Sequence, residues 1–291
     1  MHRTLGLVTF LVVSVLMLFN NDSVLPNQQL ASAAASFAEP QFWIAEDAKR
    51  EISELPVADF AIFDAITGEI LVTKSKYGNQ KLPIASVTKL VTASVINDDL
   101  DLGVMTTITK ADVDTEGRSG KLKVGEEYTY RELLFPLLLE SSNDAATVFE
   151  RVTGGDLISA MNSFAQGLGA ANTSFADASG LSSRNVSTVS DLALITSYLY
   201  QNQSHVLDIT KLSQYIGPYT GWVNNNPVLG SDYVGGKHGY TEAANRTIVS
   251  LFNEDFTTGK RVVGYVVLGS DDVRSDVATL RQFVAQAVKY E

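Results

Sequence analysis

The hydrophobic residues of this chain follow two patterns: in some segments they alternate with polar residues, and in the others they recur at helical spacing. Near residue 60 and again beyond residue 230, apolar and polar residues alternate, which is typical of half-buried strands. The stretch ADFAIFDAITGEILVTKS turns at Thr67-Gly68 and predicts a hairpin, and further strands are predicted at 232–239, 247–253 and 261–269. Elsewhere the spacing is helical. It predicts helices at 41–54, 86–97, 130–139, 144–152, 157–168, 188–200 and 273–290.

This order of elements predicts an α+β fold, because the strands do not alternate one-for-one with helices. Strands from both ends of the chain would assemble into one antiparallel sheet flanked by helices. The middle helices would form a separate helical lobe. A small-molecule site is then expected in the cleft between the lobe and the sheet.

The first forty residues have the pattern of an export segment. His2 and Arg3 precede an uncharged apolar run, 5–19, which a polar, Ala/Ser-rich spacer follows. This pattern favours a signal peptide or an N-terminal membrane anchor over a buried core helix. We therefore expect an exported protein, periplasmic or at the cell surface, whose catalytic domain is 41–291 and whose membrane contact is confined to 1–40.

Composition and charge exclude several classes of function. The 291 residues include no cysteine and three histidines, and no two of those histidines have metal-ligand spacing. A metal site and a His-dependent serine triad are therefore not expected. A net charge of -11 argues against a nucleic-acid partner, which would require a basic surface.

The stretch LPIASVTKLV, 82–91, holds the first candidate for chemistry. Ile84, Val87 and Leu90 mark a buried helical face, and Ser86 and Lys89 are three residues apart, so that their side chains are neighbours. Burial lowers the pKa of an unpaired lysine. A neutral lysine can activate a serine without histidine, so the pair is a candidate nucleophile and base.

Two further motifs accompany this pair. SSN at 141–143 lies on a predicted loop between two helices, and KHG at 237–239 lies on a predicted edge strand with flanking glycines. Each motif is common, and a second S-x-N occurs at 183–185. A function is indicated only by the three motifs together, through their order along the chain and the predicted elements on which they lie.

In this order and setting, the chain resembles the penicillin-recognising serine enzymes, specifically the D-alanyl-D-alanine carboxypeptidases and related endopeptidases. Their signature is S-x-x-K, then S-x-N, then K-T-G. The resemblance spans roughly 45–290 and includes LPIASVTKLVTA, LLLESSNDAA, DASGLSSRNVSTVSDLALI and GGKHGYTEAANR. It implies a β-lactamase/transpeptidase-like fold. It also implies peptidoglycan stem peptides as substrates and β-lactams as inhibitors, with no metal or organic cofactor needed.

The resemblance also implies the catalytic roles. Ser86 would attack the carbonyl of a D-Ala-D-Ala peptide and become acylated, and Lys89 would take its proton. Ser141 and Lys237 would return a proton to the leaving amine. Between 151 and 188 there is no glutamate of the kind that deacylates class A β-lactamases, which argues against fast β-lactam hydrolysis.

Substrate binding is implied for a further set of residues. Asn143 would hold the peptide amide, and the backbone N–H groups of Ser86 and Tyr240 would bind the oxyanion. Arg274 would bind a carboxylate, although a surface helix cation is an equal interpretation. The substrate-binding candidates are Asn143, His238, Gly239, Tyr240, Thr241 and Arg274.

The chain departs from the pattern at His238, where relatives have threonine. Histidine also donates a hydrogen bond, but it is larger and its charge changes near neutrality. It is either a tolerated substitution or a sign of altered substrate recognition. We expect a β-lactam-sensitive D-Ala-D-Ala carboxypeptidase. The alternatives are a DD-endopeptidase, a β-lactamase-like hydrolase, or a catalytically weak muropeptide- or penicillin-binding protein.

Overall fold

Alternating apolar segments from both ends of the chain build the central sheet. The computed structural model describes residues 41–75, 78–117 and 120–291. Its strands are β1 (Phe42–Ile44), β2 (Asp59–Asp64), β3 (Ile70–Thr73), β4 (Leu82–Pro83), β5 (Met105–Thr107), β6 (Glu127–Thr129), β7 (Val186–Ser187), β8 (Gln214–Ile216), β9 (Gly221–Val223), β10 (Tyr233–Thr241), β11 (Asn245–Phe256), β12 (Gly259–Ser270) and β13 (Val288–Tyr290).

Among the described residues, five strands form one antiparallel sheet in the order β10-β11-β12-β2-β3. The N-terminal hairpin β2–β3 therefore joins the three C-terminal strands, as the sequence predicted. β10 lies at the edge of the sheet, so one side of this strand faces away from the other strands. The remaining strands pair two by two: β1 with β13, β4 with β7, β5 with β6 and β8 with β9.

Helices cover both faces of the sheet. The α-helices of the described residues are α1 (Glu46–Ser53), α2 (Thr88–Asp99), α3 (Lys110–Val113), α4 (Tyr130–Phe135), α5 (Asn143–Val152), α6 (Leu157–Leu168), α7 (Val189–Asn202), α8 (Ser204–Thr210) and α9 (Val273–Ala287). A 3₁₀ turn, Ala85–Val87, precedes α2, and a π-helix, Pro136–Glu140, follows α4. The middle helices form the predicted helical lobe, and α1 and α9 cover the opposite face.

Strand β2 shows why the sheet lies in the middle of the domain. Every one of its residues is buried. Ala61 and Phe63 belong to the apolar cluster of the helical lobe, whereas Phe60 and Ile62 belong to the cluster of α1 and α9. Burying a large apolar side chain stabilises a fold by roughly 1.5–3 kcal/mol, so a strand that is apolar on both faces favours this central position.

The two ends of the domain differ from the sequence prediction. The helix predicted at 41–54 begins only at Glu46, and the helix predicted at 273–290 ends at Ala287. The residues outside these helices form β1 and β13, which pair with each other. The Phe42 ring lies 4.7 Å from that of Tyr290, centre to centre, so aromatic packing between the termini stabilises strand over helix.

The predicted export segment, 1–40, lies outside the described residues. Within the residues that the structure does describe, no helix is both long enough and apolar enough to span a bilayer. The signal peptide or anchor therefore stays a prediction.

Candidate active site

The turn that carries Ser86 packs closely against the loop at Gly180. Ser86 lies in the 3₁₀ turn one residue before α2, and Ala85 has a left-handed backbone with φ of 48°. A Cβ on Gly180 would lie 2.0 Å from the carbonyl oxygen of Ala85, so only glycine permits this approach. Non-glycine residues adopt positive φ at a cost, and such residues occur often where function requires a fixed geometry.

Lys89 lies one turn further on, in the first turn of α2, and its side chain is fully buried. Its Nζ is 3.0 Å from Ser86 Oγ and donates to Asn143 Oδ1 at 2.8 Å and to the carbonyl oxygen of Ser179 at 2.6 Å. The predicted pairing of serine and lysine side chains is therefore present. The two carbonyl acceptors hold the amine against the serine hydroxyl.

The SSN motif begins where the π-helix ends. Ser141 has left-handed backbone geometry, with φ of 63°, and Ser142 caps α5 by accepting a hydrogen bond from the N–H of Ala145. Asn143, the first residue of α5, donates through Nδ2 to the carbonyl oxygen of Glu116 at 2.8 Å. Both polar ends of Asn143 are thus engaged, one with Lys89 and the other with the preceding loop.

Strand β10 brings the third motif to the same place. Lys237 is buried and donates to the carbonyl oxygen of His238 at 2.6 Å. A Cβ on Gly239 would lie 2.5 Å from the backbone nitrogen of Ser86. Thr247 of β11 donates to the carbonyl oxygen of Ile84 at 2.9 Å. The sheet edge and the serine turn are therefore in direct contact.

The three motifs meet at a cleft of about 170 Å³. Most predicted site residues line it: Ser86, Ser141, Asn143, His238, Gly239, Tyr240 and Thr241. Lys89 and Lys237 are buried beside it. Arg274 is exposed in the first turn of α9 and is not among the lining residues. Within the described residues, no group of three or more His, Cys, Asp or Glu side chains could hold a metal ion.

Residues 47–272 match the model of the D-alanyl-D-alanine carboxypeptidase family. The chain belongs to this family. The family prediction and the enzyme class are thereby confirmed: this member is a serine peptidase of the D-alanyl-D-alanine carboxypeptidases.

Individual relatives agree with this assignment. The D-alanyl-D-alanine carboxypeptidase DacB2 of Mycobacterium tuberculosis is 32% identical over 208 residues, which cover 68% of this chain and 71% of that protein. A D-alanyl-D-alanine endopeptidase of Haemophilus influenzae is 35% identical over 159 residues, 53% of either chain. The proteins similar to this chain therefore include one named as a carboxypeptidase and one named as an endopeptidase.

Solved structures confirm the predicted fold. A crystal structure of a D-alanyl-D-alanine carboxypeptidase from Mycobacterium tuberculosis has a TM-score of 0.72 at 31% identity, covering 78% of this chain and 90% of that one. Penicillin-binding protein D2 of Listeria monocytogenes, with cefotaxime bound, has a TM-score of 0.68 at 27% identity, covering 78% and 96%.

The loop 177–185 contributes to the site of this family member, although the sequence analysis gave it no role. The carboxylate of Asp177 accepts from the N–H groups of Ser179, Gly180 and Ser182. Asn185 accepts from the N–H of Asp177 and donates back to its carbonyl oxygen. Asp177 and Asn185 thus shape the loop that presents the Ser179 carbonyl to Lys89. No side-chain pattern predicts a backbone acceptor. The one sequence feature that could have indicated this loop is its Asp/Ser/Asn-rich composition, which is typical of turns.

Asp144 is a second feature that the sequence did not reveal. This residue follows Asn143 in α5, is fully buried, and has no hydrogen-bond partner for either carboxylate oxygen among the described residues. Burial, and to a lesser degree the charge of Asp112, raise the pKa of Asp144 from 3.8 to about 6. Ionising this carboxyl group therefore costs more free energy in the folded state than in the unfolded chain.

We expect Asp144→Asn to stabilise the protein at alkaline pH. Because the folded-state pKa is raised, protonated Asp144 favours folding below about pH 4, and this contribution is lost as the pH rises through about 6. A shift of about two pKa units corresponds to roughly 3 kcal/mol, so the variant should gain on the order of 2–3 kcal/mol at pH 8. Urea unfolding at pH 5, 6.5 and 8 measures this change. The exposed Asp255→Asn serves as the control, and destabilisation of Asp144→Asn at pH 8 would contradict the prediction.

Proposed function

We propose that this chain cleaves the terminal D-alanyl-D-alanine bond of peptidoglycan stem peptides through an acyl-enzyme on Ser86. The observation that carries the proposal is the distance of 3.0 Å between Lys89 Nζ and Ser86 Oγ, with the lysine fully buried. Nucleophile and base must lie within hydrogen-bond reach before any proton moves.

In this mechanism Lys89 is the base. The carbonyl groups of Asn143 and Ser179 can only accept hydrogen bonds, so they engage two N–H bonds of the amine. In the neutral amine, the lone pair is then available for the proton of the Ser86 hydroxyl. Asn143 has a positioning role through Lys89, and the second N–H of its amide, at the cleft, can hold the substrate amide.

The oxyanion of the tetrahedral intermediate is bound by the backbone N–H groups of Ser86 and Tyr240. The approach of Gly239 to the nitrogen of Ser86 supports this assignment, because it sets the start of the serine turn against the edge strand. Removing one such donor typically costs ~10²–10³-fold in rate.

Ser141 and Lys237 complete the cycle by returning a proton to the leaving amine. Ser141 lines the cleft and Lys237 is buried beside it. Water then hydrolyses the acyl-enzyme. Half-buried His238 and exposed Tyr240 lie along the same strand and contact the substrate together with Thr241.

β-Lactams inhibit this enzyme by acylating Ser86, because their strained amide takes the place of the D-alanyl-D-alanine bond. The cefotaxime complex of the Listeria protein supports this part of the proposal. Peptidoglycan lies outside the cytoplasmic membrane, so the substrate also requires export of the domain, in agreement with the pattern at 1–40.

D-Alanine release tests the proposal directly. A synthetic pentapeptide stem ending in D-alanyl-D-alanine is incubated with the wild type and with Ser86→Ala, and free D-alanine is measured. The wild type should release one D-alanine per stem, and Ser86→Ala should release none above the uncatalysed rate. Equal release by both proteins would refute the mechanism, and no release by either would refute the activity.

A further inference from the structure

The substrate of the proposed function ends in a free carboxylate, and a cation close to the scissile bond would favour its binding. Lys89 and Lys237 are buried beside the cleft and donate to carbonyl oxygens. Arg274, which the sequence analysis considered for this role, is exposed in the first turn of α9 and does not line the cleft. Another cation of the chain is better placed.

That cation is Arg246, on strand β11. A groove of about 350 Å³ adjoins the cleft, and the two share His238, Gly239 and Tyr240. Arg246 lines this groove, whereas Arg274 does not. The Arg246 side chain is exposed. The groove therefore brings an accessible guanidinium to the edge of the cleft.

The ring of Tyr240 orients this guanidinium. Arg246 lies opposite Tyr240 in the pairing of β10 with β11, and its guanidinium carbon is 5.4 Å from the centre of the Tyr240 ring. The guanidinium makes no ion pair with any residue that the structure describes. Stacking on an aromatic ring leaves the N–H edge of a guanidinium available, and its planar fork matches the two oxygens of a carboxylate.

Asp272 is the acidic side chain of the same groove, and a negative charge there would oppose the binding of a carboxylate. Its Oδ1 accepts from the N–H groups of Arg274 and Ser275 at 3.1 and 3.2 Å, which caps α9. The N-terminus of a helix carries a partial positive charge that offsets the charge of such a carboxylate. The repulsion that Asp272 exerts on a bound carboxylate is thereby reduced.

The covalent geometry of a peptide places the terminal carboxylate near Arg246. In the proposed mechanism the N–H of Tyr240 binds the oxyanion, so the scissile carbonyl lies beside Tyr240. Only the nitrogen and the Cα of the last residue separate the scissile carbonyl carbon from the carboxylate carbon, so these two carbons are at most about 4 Å apart. The carboxylate therefore lies within one residue length of the side chain on which Arg246 stacks.

We propose that Arg246 binds the terminal carboxylate of the substrate and thereby selects stem peptides with a free C-terminus. Arg246 is then a specificity-determining residue, and Tyr240 holds its guanidinium in place. This inference rests on the proposed function, because Ser86 remains the nucleophile. It assigns to a residue of β11 the role that the resemblance suggested for Arg274.

Two substrates that differ only at the C-terminus test this assignment. One is a pentapeptide stem ending in D-alanyl-D-alanine as the free acid, and the other is the same stem as the C-terminal carboxamide. The wild type should cleave the acid with a kcat/KM at least about 10-fold higher. Arg246→Gln should lower kcat/KM for the acid about 10–100-fold and that for the carboxamide less than about threefold. Arg246→Lys keeps the charge but not the planar fork, so it should retain part of the preference.

Two further variants complete the experiment. Arg50→Gln, an exposed change in α1, should leave both rates as in the wild type. Arg274→Gln tests the rival assignment: if this variant loses the preference for the acid and Arg246→Gln keeps it, Arg246 does not bind the carboxylate. Equal loss of both rates in Arg246→Gln, or a wild type that cleaves acid and carboxamide equally fast, would also overturn the assignment and leave the proposed function standing. If the wild type cleaves neither substrate, the proposed function fails, and this assignment fails with it.

Discussion

Lys89→Met is expected to slow the acylation of Ser86 by about 10²–10⁴-fold, the usual contribution of a general base. Methionine fills most of the volume of the buried lysine but cannot accept a proton. The acceptors on Asn143 and Ser179, which bond to Lys89 Nζ in the wild type, lose this donor. The measurement is the single-turnover rate of acylation by a penicillin, followed at several pH values.

Lys74→Met is the matched control for this change. Lys74, like Lys89, donates to two carbonyl oxygens, here the backbone oxygens of Leu55 and Val57, but it lies at the end of the β2–β3 hairpin rather than at the cleft. Its replacement removes similar hydrogen bonds and should leave the acylation rate unchanged. If Lys89→Met and Lys74→Met acylate equally fast, Lys89 is not the base.

Gly239→Ala should reduce acylation by at least about 10²-fold while the protein remains folded. The new Cβ would lie 2.5 Å from the nitrogen of Ser86, so the edge strand and the serine turn must separate. A displacement of about 1 Å in a reacting group can cost about 10²-fold. The acylation rate and the thermal unfolding midpoint are measured on the same preparation.

Gly167→Ala provides the comparison for that variant. Gly167 lies within α6, and a Cβ there would meet no atom within 4 Å. Alanine at this position should stabilise the helix by up to ~1 kcal/mol without changing acylation. A Gly239→Ala variant with full acylation activity would show that the approach of β10 to Ser86 is not required.

The sequence predicted the sheet and the Ser/Lys pair because each rests on a local period. Alternation predicted strands at the positions of β2, β10, β11 and β12, although β2 is buried on both faces rather than half-buried. The spacing of three residues placed Ser86 next to Lys89. The structure adds that Ser86 lies in a 3₁₀ turn before α2 rather than inside a helix. The left-handed geometry of Ala85, fixed by the contact with Gly180, accounts for this difference.

Other parts of the fold and the site cannot be predicted from a pattern in the neighbouring sequence. Strands β1 and β13 have three residues each and pair the two ends of the domain, so neither is long enough to establish a period. The Ser179 carbonyl, which binds Lys89, is a backbone atom. The S-x-N motifs at 141–143 and 183–185 are equivalent as sequences, and only the fold places Ser141 and Asn143 at the cleft and Asn185 in a supporting loop.

Intact-mass analysis after incubation with a fluorescent penicillin tests the central claim most directly. The wild type should gain the mass of one penicillin, and the label should map to the peptide that contains Ser86. Ser86→Ala, with an unchanged unfolding midpoint, should gain none. A labelled Ser86→Ala protein, or a wild type that stays unlabelled, would contradict the role of Ser86 and Lys89 as nucleophile and base.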